Sequence, residues 1–256
     1  MNIVFHVGLH KTATTWLQSV LFTLHQEIRL INDYKEPWND EVIRYVVLRD
    51  RYSFDAEIYK KMIQARIKSE FPDQEGVFIV SAERLSGHPS SGGFDREKII
   101  ANIHAAFPDA KILITFRNQV DLVRSTYQQM IREGDTQKHN IFLDRQGWKR
   151  PFFGPKYYDL EAIYTLYSGF YSQNHLGFFC SEDLEEDKDQ FILGLCCFLK
   201  VQPFFPEKSE RVNIGIKGIE LEAIRILNYF RRSEFMPSTP FMAAKNRALS
   251  FFRFAK

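Results

Sequence analysis

Basic and hydroxyl side chains follow the first apolar run of the chain, in the segment Gly8-Leu9-His10-Lys11-Thr12-Ala13-Thr14-Thr15-Trp16. The preceding residues 3–8 predict a β-strand, and a helical pattern that continues to about His25 places the segment at a helix N-terminus. Free backbone N–H groups, the positive end of the helix dipole, the Lys11 ammonium and three threonine hydroxyls can together bind a phosphate-like anion. The simpler alternative is a helix cap with solvated lysine and threonine side chains.

A second candidate anion site follows the apolar run Lys111 to Phe116, which predicts a buried strand. Arg117 lies at the carboxyl end of that strand, and Ser125 comes eight residues later, two turns into a predicted helix. This separation allows one guanidinium and one hydroxyl to hold a single phosphate from two sides. Taken alone, the motif also fits an arginine that is salt-bridged near a helix start.

Both segments need a sheet that brings the carboxyl ends of its strands together. Strands are predicted over residues 3–8, 28–32, 77–80, 111–116 and 177–180, and helices over residues 96–107, 120–133, 159–173, 190–200 and 216–232. Their alternation predicts an α/β fold, with one mainly parallel central sheet covered by helices on both faces. Ligands of such sheets bind at the carboxyl ends of the strands. We assign residues 1–256 to one domain, with a core over 3–230, an acceptor loop or lid at 135–158 and an extension at 233–256.

The first segment departs from the nucleotide-binding pattern G-x-x-x-x-G-K-[ST], because Phe5 and His10 occupy the two glycine positions. It instead resembles the 5′-phosphosulfate loop of sulfotransferases, whose core is Lys-Thr/Ser-Gly-Thr-Thr in the same strand-to-helix setting. The match runs from Lys11 to Trp16, with Ala13 in place of the glycine. Alanine is unstrained there at helical φ and ψ and strained at positive φ.

The second segment is similar to the same family, in which the arginine and serine at the positions of Arg117 and Ser125 hold the 3′-phosphate of 3′-phosphoadenosine 5′-phosphosulfate (PAPS). Residues 180–187 resemble its E-D-L-x-x-D segment, and residues 211–218 resemble, more loosely, the basic loop that closes over the nucleotide. A basic helix start is the alternative for that loop. The nucleotide-binding residues that the resemblance implies are His10, Lys11, Thr12, Ala13, Thr14, Thr15, Trp16, Arg117, Ser125, Arg211, Lys217 and Gly218. Trp16 also fits the hydrophobic core.

The resemblance implies a P-loop-like sulfotransferase fold and a transfer of the sulfuryl group from PAPS to a hydroxyl or amine, leaving 3′,5′-adenosine bisphosphate (PAP). Lys11 would neutralise the leaving phosphate oxygen, and the argument requires no metal. Glu83, just after the strand 77–80, is the first candidate for the base, with Asp33 or Glu36 as the alternative. His10 is closer in sequence to the loop and flanks it. The rival functions are an ATP-dependent P-loop kinase and an inactive nucleotide-binding protein of the same fold.

The acceptor site is predicted from the mixed basic and aromatic loop 135–158. Its candidate wall residues are Trp148, Lys149, Arg150, Tyr157 and Tyr158. Aromatic rings stack on sugar rings, so the sequence favours a small-molecule or saccharide acceptor, including glycoconjugates. A mobile lid is equally consistent with this composition.

Composition and charge limit the kinds of binding partner and the cellular compartment that the sequence predicts. Lys plus Arg total 34 against 32 Asp plus Glu, and the resulting charge of +2 excludes a broad nucleic-acid-binding surface. Three cysteines, two of them adjacent, favour a reducing compartment. The absence of a signal-peptide pattern and of an apolar window of about 18 residues predicts a cytoplasmic protein without a transmembrane segment. The aromatic and basic residues 249–256 suit either docking on the core or a peripheral membrane contact.

Overall fold

One parallel sheet organises the chain in the computed structural model, which describes residues 2–73, 75–89, 92–139, 155–206 and 218–230. Its strands are β1 (Asn2–His6), β2 (Ile28–Leu30), β3 (Val77–Ser81), β4 (Lys111–Phe116) and β5 (Leu176–Cys180). Their order is β2-β3-β1-β4-β5, and every neighbouring pair is parallel. The predicted α/β class with a mainly parallel central sheet is confirmed.

Helices connect these strands. They are α1 (Thr14–Trp16), which continues as a π-helix over Leu17–Phe22, α2 (Glu41–Leu48), α3 (Ala56–Glu70), α4 (Arg96–Ala106), α5 (Gln119–Arg132), α6 (Leu160–Ser168), α7 (Ser181–Glu186), α8 (Lys188–Leu199) and α9 (Gly218–Leu227). Short 3₁₀ turns cover Glu83–Ser86, Pro155–Tyr158, Gln173–His175 and Asn228–Phe230. No helix within the described ranges has both the length and the apolar character needed to cross a membrane.

Side-chain caps explain where several helices begin. Asp40, Asp55, Asn118 and Asp159 each accept hydrogen bonds from backbone N–H groups of the first turn that follows them. The helix α2 was missed by the sequence analysis, although its Asp40 cap is a readable start signal. The helix predicted over 159–173 ends at Ser168, because the N–H of Gly169 bonds back to the carbonyls of Thr165 and Leu166 and closes the last turn.

Alternating strand residues divide the core between the two faces of the sheet. On β1, Phe5 packs with helices α2 to α6, whereas Val4 packs on the other face with the π-helix and α8. On β4 the same division separates Ile112 and Ile114 from Leu113. Both faces are therefore covered, which explains why these strands read as continuous apolar runs.

The strand order reverses between β1 and β4. The connection from β1 leads towards β2, whereas the connection from β4 leads to β5 on the opposite side. Ligands of open parallel sheets bind in the crevice at such a point. The chain after β1 continues along β4 here, since the N–H of Val7 donates to Leu113 O (2.8 Å) and that of Leu9 to Thr115 O (2.9 Å). The residues after Leu9 therefore lie at the same sheet edge as Arg117.

Candidate functional site

The backbone of the loop after β1 turns through two left-handed residues. Lys11 has φ 69° and Ala13 has φ 58°, with Thr12 between them. In turns that contain left-handed residues, successive N–H groups can point towards one position and form a concave anion site. Ala13 thus occupies the conformation in which alanine is strained, at a cost of about 1 kcal/mol.

Gly8 and Thr14 form a close-packed floor under this loop. A Cβ atom at Gly8 would lie 2.6 Å from the hydroxyl oxygens of both Thr14 and Thr115, so only glycine fits there. The Thr14 hydroxyl is buried and has no hydrogen-bond partner among the described residues. A buried hydroxyl without a partner at the start of a helix costs free energy unless a ligand satisfies it. This arrangement fits an anion that binds at the start of α1.

The other loop residues have different surroundings. The hydroxyl of buried Thr12 donates to the Leu9 carbonyl (2.6 Å), so it supports the loop itself. Thr15 is exposed at the start of α1. Trp16 is only 7% exposed and packs in the core, with the Lys188 ammonium 5.5 Å from its ring centroid. Lys11 forms no salt bridge within the described part of the chain, which leaves its ammonium available to an anion.

A buried histidine supports the loop from below. His6 is fully buried, and burial lowers its pKa to about 3, so its ring is neutral at physiological pH. Its Nδ1 lies 2.7 Å from the Ser81 hydroxyl and its Nε2 lies 3.1 Å from the Thr115 hydroxyl, which in turn lies 2.9 Å from that of Thr12. This network was not predicted from the sequence, in which a polar residue inside the apolar run of β1 is its one signal.

The donor in each of these hydrogen bonds can be assigned from the last bond of the network, between the Thr12 hydroxyl and the Leu9 carbonyl. Thr12 donates to a carbonyl, so the hydroxyl of Thr115 must donate to Thr12. His6 then donates from Nε2 to Thr115 and accepts at Nδ1 from Ser81. The chain of bonds joins β1, β3 and β4 directly beneath the loop and fixes its position on the sheet.

A cavity of about 390 Å³ opens beside the loop. Its lining includes His10, Lys11, Thr15, Gln18, Tyr34, Trp38, Ile43, Glu83, Arg84, His88, Thr126, Gln129, Met130 and Glu133. The aromatic wall comes from Tyr34 and Trp38 in the segment between β2 and α2. A volume of this size is in the range of small-molecule sites.

Glu83 reaches the cavity from the end of β3. Its Oε2 lies 3.0 Å from Nδ1 of His10. Burial alone would raise the pKa of Glu83, but the interaction with Nδ1 of His10 and the positive charge of Lys11 together lower the pKa below its ordinary value. The carboxyl group is therefore ionised at neutral pH.

The alternative base candidates lie elsewhere. Asp33 and Glu36 are both exposed, and neither lines the cavity. The Asp33 carboxylate accepts from the backbone N–H groups of Lys35 and Glu36, and Glu36 accepts from the side chain of Asn39. These contacts stabilise the turn that precedes α2. Of the three carboxylates that the sequence offered, the structure brings only Glu83 to the cavity.

Arg117 lies at the end of β4 between two carboxylates. Its Nε is 3.5 Å from Glu182 Oε1, and its Nη2 is 3.8 Å from Asp121 Oδ2. Glu182 also accepts the backbone N–H of Asn118 (3.0 Å). The hydroxyl of Ser125 donates to the carbonyl of Asp121 (2.7 Å) and keeps its lone pairs for other donors. The salt-bridged alternative considered for Arg117 is thus present in the structure, at the same sheet edge as the β1 loop.

The remaining predicted residues divide into three groups. One group lies outside the described residues: Arg211, Lys217, residues 140–154 of the acceptor loop and the tail 249–256. Gly218 is the first residue of α9. Tyr157 and Tyr158 are buried, so they face the core and are not acceptor walls as suggested. Tyr157 donates to Gly87 O (3.1 Å), and the Arg96 guanidinium lies 4.2 Å from its ring centroid.

Comparisons with known proteins bear on the fold. No family model matches the chain, and no curated protein sequence matches it. The crystal structure of a sulfotransferase from Alicyclobacillus acidocaldarius is similar with a TM-score of 0.57 and 20% sequence identity, over 90% of this chain and 93% of that one. The chain has the sulfotransferase fold. The resemblance that the two loop motifs carried is confirmed at the level of the fold.

Two other solved structures were found at lower similarity. The sulfotransferase domain of the curacin biosynthetic pathway has a TM-score of 0.48 and 15% identity, over 87% of this chain and 82% of that one. Mouse sulfotransferase SULT7A1, in complex with PAP, has a TM-score of 0.45 and 13% identity, over 93% of this chain and 70% of that one. The assignment of the fold rests on the Alicyclobacillus structure, and the activity of this sulfotransferase-fold protein is argued from its own site.

Proposed function

We propose that this protein is a PAPS-dependent sulfotransferase that transfers the sulfuryl group to a hydroxyl of a small-molecule acceptor. One observation carries the proposal: an anion cradle with an available lysine adjoins a cavity of about 390 Å³ that contains an ionised carboxylate. This arrangement supports donor binding, charge neutralisation and proton removal within one crevice. Sulfuryl transfer needs these three elements in a fixed geometry.

The donor nucleotide would span the two loops at the carboxyl ends of β1 and β4. The 5′-phosphosulfate binds to the backbone N–H groups of the β1 loop and to the hydroxyls of Thr14 and Thr15. Lys11 neutralises the charge that develops on the leaving phosphate oxygen. The 3′-phosphate binds to Arg117 and Ser125, and the resemblance adds Arg211, Lys217 and Gly218 as residues that close over the nucleotide.

The acceptor would enter the cavity beside Lys11. Trp38 is 55% exposed there, with the Arg84 guanidinium 6.0 Å from its ring centroid, and a partly exposed indole is a suitable stacking surface for a sugar ring. It supports the saccharide or glycoconjugate class and takes over the role that Tyr157 and Tyr158 cannot play. The proton of the acceptor hydroxyl leaves towards Glu83 and His10 at the base of the cavity. The sulfotransferase fold does not favour the two rival functions, an ATP-dependent kinase and an inactive nucleotide-binding protein.

A turnover assay tests this function directly. The purified protein is incubated with PAPS and a panel of sugars, glycolipids and phenols, and the formation of PAP and of sulfated acceptor is followed by mass spectrometry. We expect both products in equal amounts with at least one acceptor. Phosphorylated acceptor formed from ATP and magnesium, with no product from PAPS, would contradict the proposal.

A further inference from the structure

His10 has surroundings that its predicted role in nucleotide binding does not explain. Its ring lines the acceptor cavity, and its Nδ1 lies 3.0 Å from Oε2 of Glu83. The two side chains are mostly removed from solvent, with 14% and 31% of their surface exposed. The pair joins the β1 loop, which also carries Lys11, to the segment that follows β3. A histidine that only flanked the phosphate would not need a carboxylate partner.

The 3.0 Å contact between Nδ1 of His10 and Oε2 of Glu83 favours one tautomer of the neutral imidazole. An ionised carboxylate only accepts hydrogen bonds, so the proton of the neutral ring lies on Nδ1. The lone pair is then on Nε2, on the side of the ring away from Glu83. Nε2 is buried and has no hydrogen-bond partner among the described residues, so its lone pair is unsatisfied. A hydroxyl of a bound acceptor that reached Nε2 would satisfy this lone pair and could pass its proton to it.

Glu83 is poorly suited to take that proton itself. Its pKa is lowered despite the opposing effect of burial, because the interaction with Nδ1 of His10 and the positive charge of Lys11 stabilise its ionised form. A base works best when its pKa is close to the working pH, and imidazole is the side chain used most often. Besides Lys11, the other charged and titratable groups that line the same cavity are Tyr34, Arg84, His88 and Glu133. Burial lowers the pKa of His88 to about 4, so it adds no positive charge beside His10 at neutral pH.

We propose that His10 is the general base of the transfer and that Glu83 is a positioning residue that orients the imidazole. This inference rests on the proposed sulfotransferase function and offers His10 in place of Glu83 as the base. It follows the general arrangement in which a carboxylate holds a histidine and the histidine accepts the proton of a hydroxyl. Here the histidine comes from the phosphate-binding loop, so donor and base are positioned by the same short segment.

The reaction step balances without any further reactant. The acceptor oxygen attacks sulfur as its proton moves to Nε2 of His10. The bond between sulfur and the 5′-phosphate oxygen breaks, and that oxygen keeps the electron pair and becomes part of PAP beside Lys11. The products are sulfated acceptor, PAP and an imidazolium that Glu83 stabilises. Loss of this proton to water regenerates the neutral ring.

Acceptor acidity provides the experiment that separates a base from a structural residue. His10→Gln is assayed with two acceptors, an alcohol that must lose its proton and a nitrophenol that is already ionised at the assay pH. We expect kcat with the alcohol to fall about 10²- to 10³-fold, as for loss of a general base, and kcat with the nitrophenolate to change by less than about threefold. Added imidazole should restore part of the turnover of the alcohol.

Glu83→Gln tests the positioning role. The amide oxygen still accepts the Nδ1 proton but carries no charge, so we expect kcat with the alcohol to fall about tenfold or more with little change in KM. Glu83→Asp should recover part of that loss. His175→Gln is the matched control, because His175 precedes β5 at the opposite edge of the sheet.

The outcomes separate this inference from the proposed function. Equal losses on both acceptors in His10→Gln, or loss of all turnover in Glu83→Gln while His10→Gln remains active, would overturn the assignment of the base and leave the sulfotransferase function standing. A wild-type protein that binds no PAP and turns over neither acceptor would overturn both.

Discussion

The two anion-binding loops at the carboxyl edge of the sheet are prepared in different ways. After β1, the backbone is held in a left-handed turn and Lys11 has no salt bridge in the described part of the chain. After β4, Arg117 lies between Glu182 and Asp121. The first loop thus offers an available charge on a strained backbone, whereas the second offers a charge that is already neutralised. An anion at Arg117 must compete with Glu182 before it gains the full interaction.

This difference assigns different tasks to the loops. The β1 loop is supported by the buried bonds from Ser81 through His6 and Thr115 to Thr12, which keep its N–H groups in place. Such preorganisation suits the position where charge develops during the reaction. The β4 loop contributes to affinity and to the recognition of a 3′-phosphate. Mutations in the two loops should therefore affect different kinetic and binding parameters.

Lys11→Ala should have the largest effect. We expect turnover of PAPS to fall about 10²- to 10³-fold, the range for loss of one group that stabilises developing charge. The change is measured as kcat with a saturating acceptor. Lys61→Ala, on the exposed side of α3, is the control and should retain full activity. Equal activity of the two variants would remove Lys11 from the mechanism.

Arg117→Ala should act on binding. We expect PAP affinity to fall about 10- to 100-fold, because a charge-assisted hydrogen bond contributes roughly 1.5–3 kcal/mol. Affinity for adenosine 5′-phosphosulfate, which lacks the 3′-phosphate, should stay the same. Calorimetric titration measures both. A parallel loss of affinity for the two ligands would show that Arg117 does not read the 3′-phosphate.

His6 should make stability depend on pH. Its pKa is about 3 in the folded protein and 6.5 in the unfolded chain, so below pH 6.5 the unfolded chain binds a proton that the folded protein does not. The contribution of neutral His6 to the free energy of unfolding is complete above pH 6.5. As the pH falls from 6.5 to 3, this contribution decreases by up to about 1.4 kcal/mol for each pH unit. Urea unfolding across this range measures the slope.

An NMR titration checks the same claim without unfolding the protein. The imidazole signals of His6 should stay nearly constant from pH 7 to pH 4, because its pKa is about 3. A His6 signal that titrates near pH 6.5 would show that the support beneath the loop is not buried as described.

Ala13→Gly tests the strain in the β1 loop. Glycine adopts φ 58° without a penalty, so we expect the free energy of unfolding to rise by roughly 0.5–1 kcal/mol. The shift in the denaturant midpoint at constant slope measures it. Ala65→Gly, at an exposed helical position of α3, should have the opposite sign. Destabilisation by both substitutions would contradict a strained Ala13.

Glu182→Gln should have the smallest effect and the most specific one. Removal of the carboxylate that competes for Arg117 should strengthen PAP binding by about threefold, in line with the small energies of partly exposed ion pairs. Asp183→Asn, the neighbouring carboxylate of α7, is the control. Weaker PAP binding in Glu182→Gln would mean that Glu182 orients Arg117 for the ligand and does not compete with it.

The sequence predicted the parts of this molecule that follow from local pattern. Apolar runs located β3 and β4 to within a residue or two, and the charged loops that follow β1 and β4 were placed at one sheet edge by topology alone. From the sequence, Ala13 could only be said to be strained if its φ were positive. The φ angle itself depends on how the loop packs in the folded protein. The nucleotide contacts assigned to the loop residues stay predictions.

Side-chain partners from distant segments were beyond the reach of the sequence. Tyr157 was predicted to face an acceptor, but Ser86 and Arg96 hold it in the core. His10 and Glu83 are 73 positions apart, and only the pairing of β1 with β3 brings their side chains together. Such contacts depend on the tertiary structure, in which a residue's chemistry is set by what the sheet places beside it.

Calorimetric titration of the full chain with PAP, and separately with ATP, tests the central claim that the two loops together bind a nucleotide with a 3′-phosphate. We predict one site per chain for PAP, and binding of ATP at least about tenfold weaker, since ATP offers no 3′-phosphate to Arg117. ATP binding that is equal to or tighter than PAP binding would contradict the account.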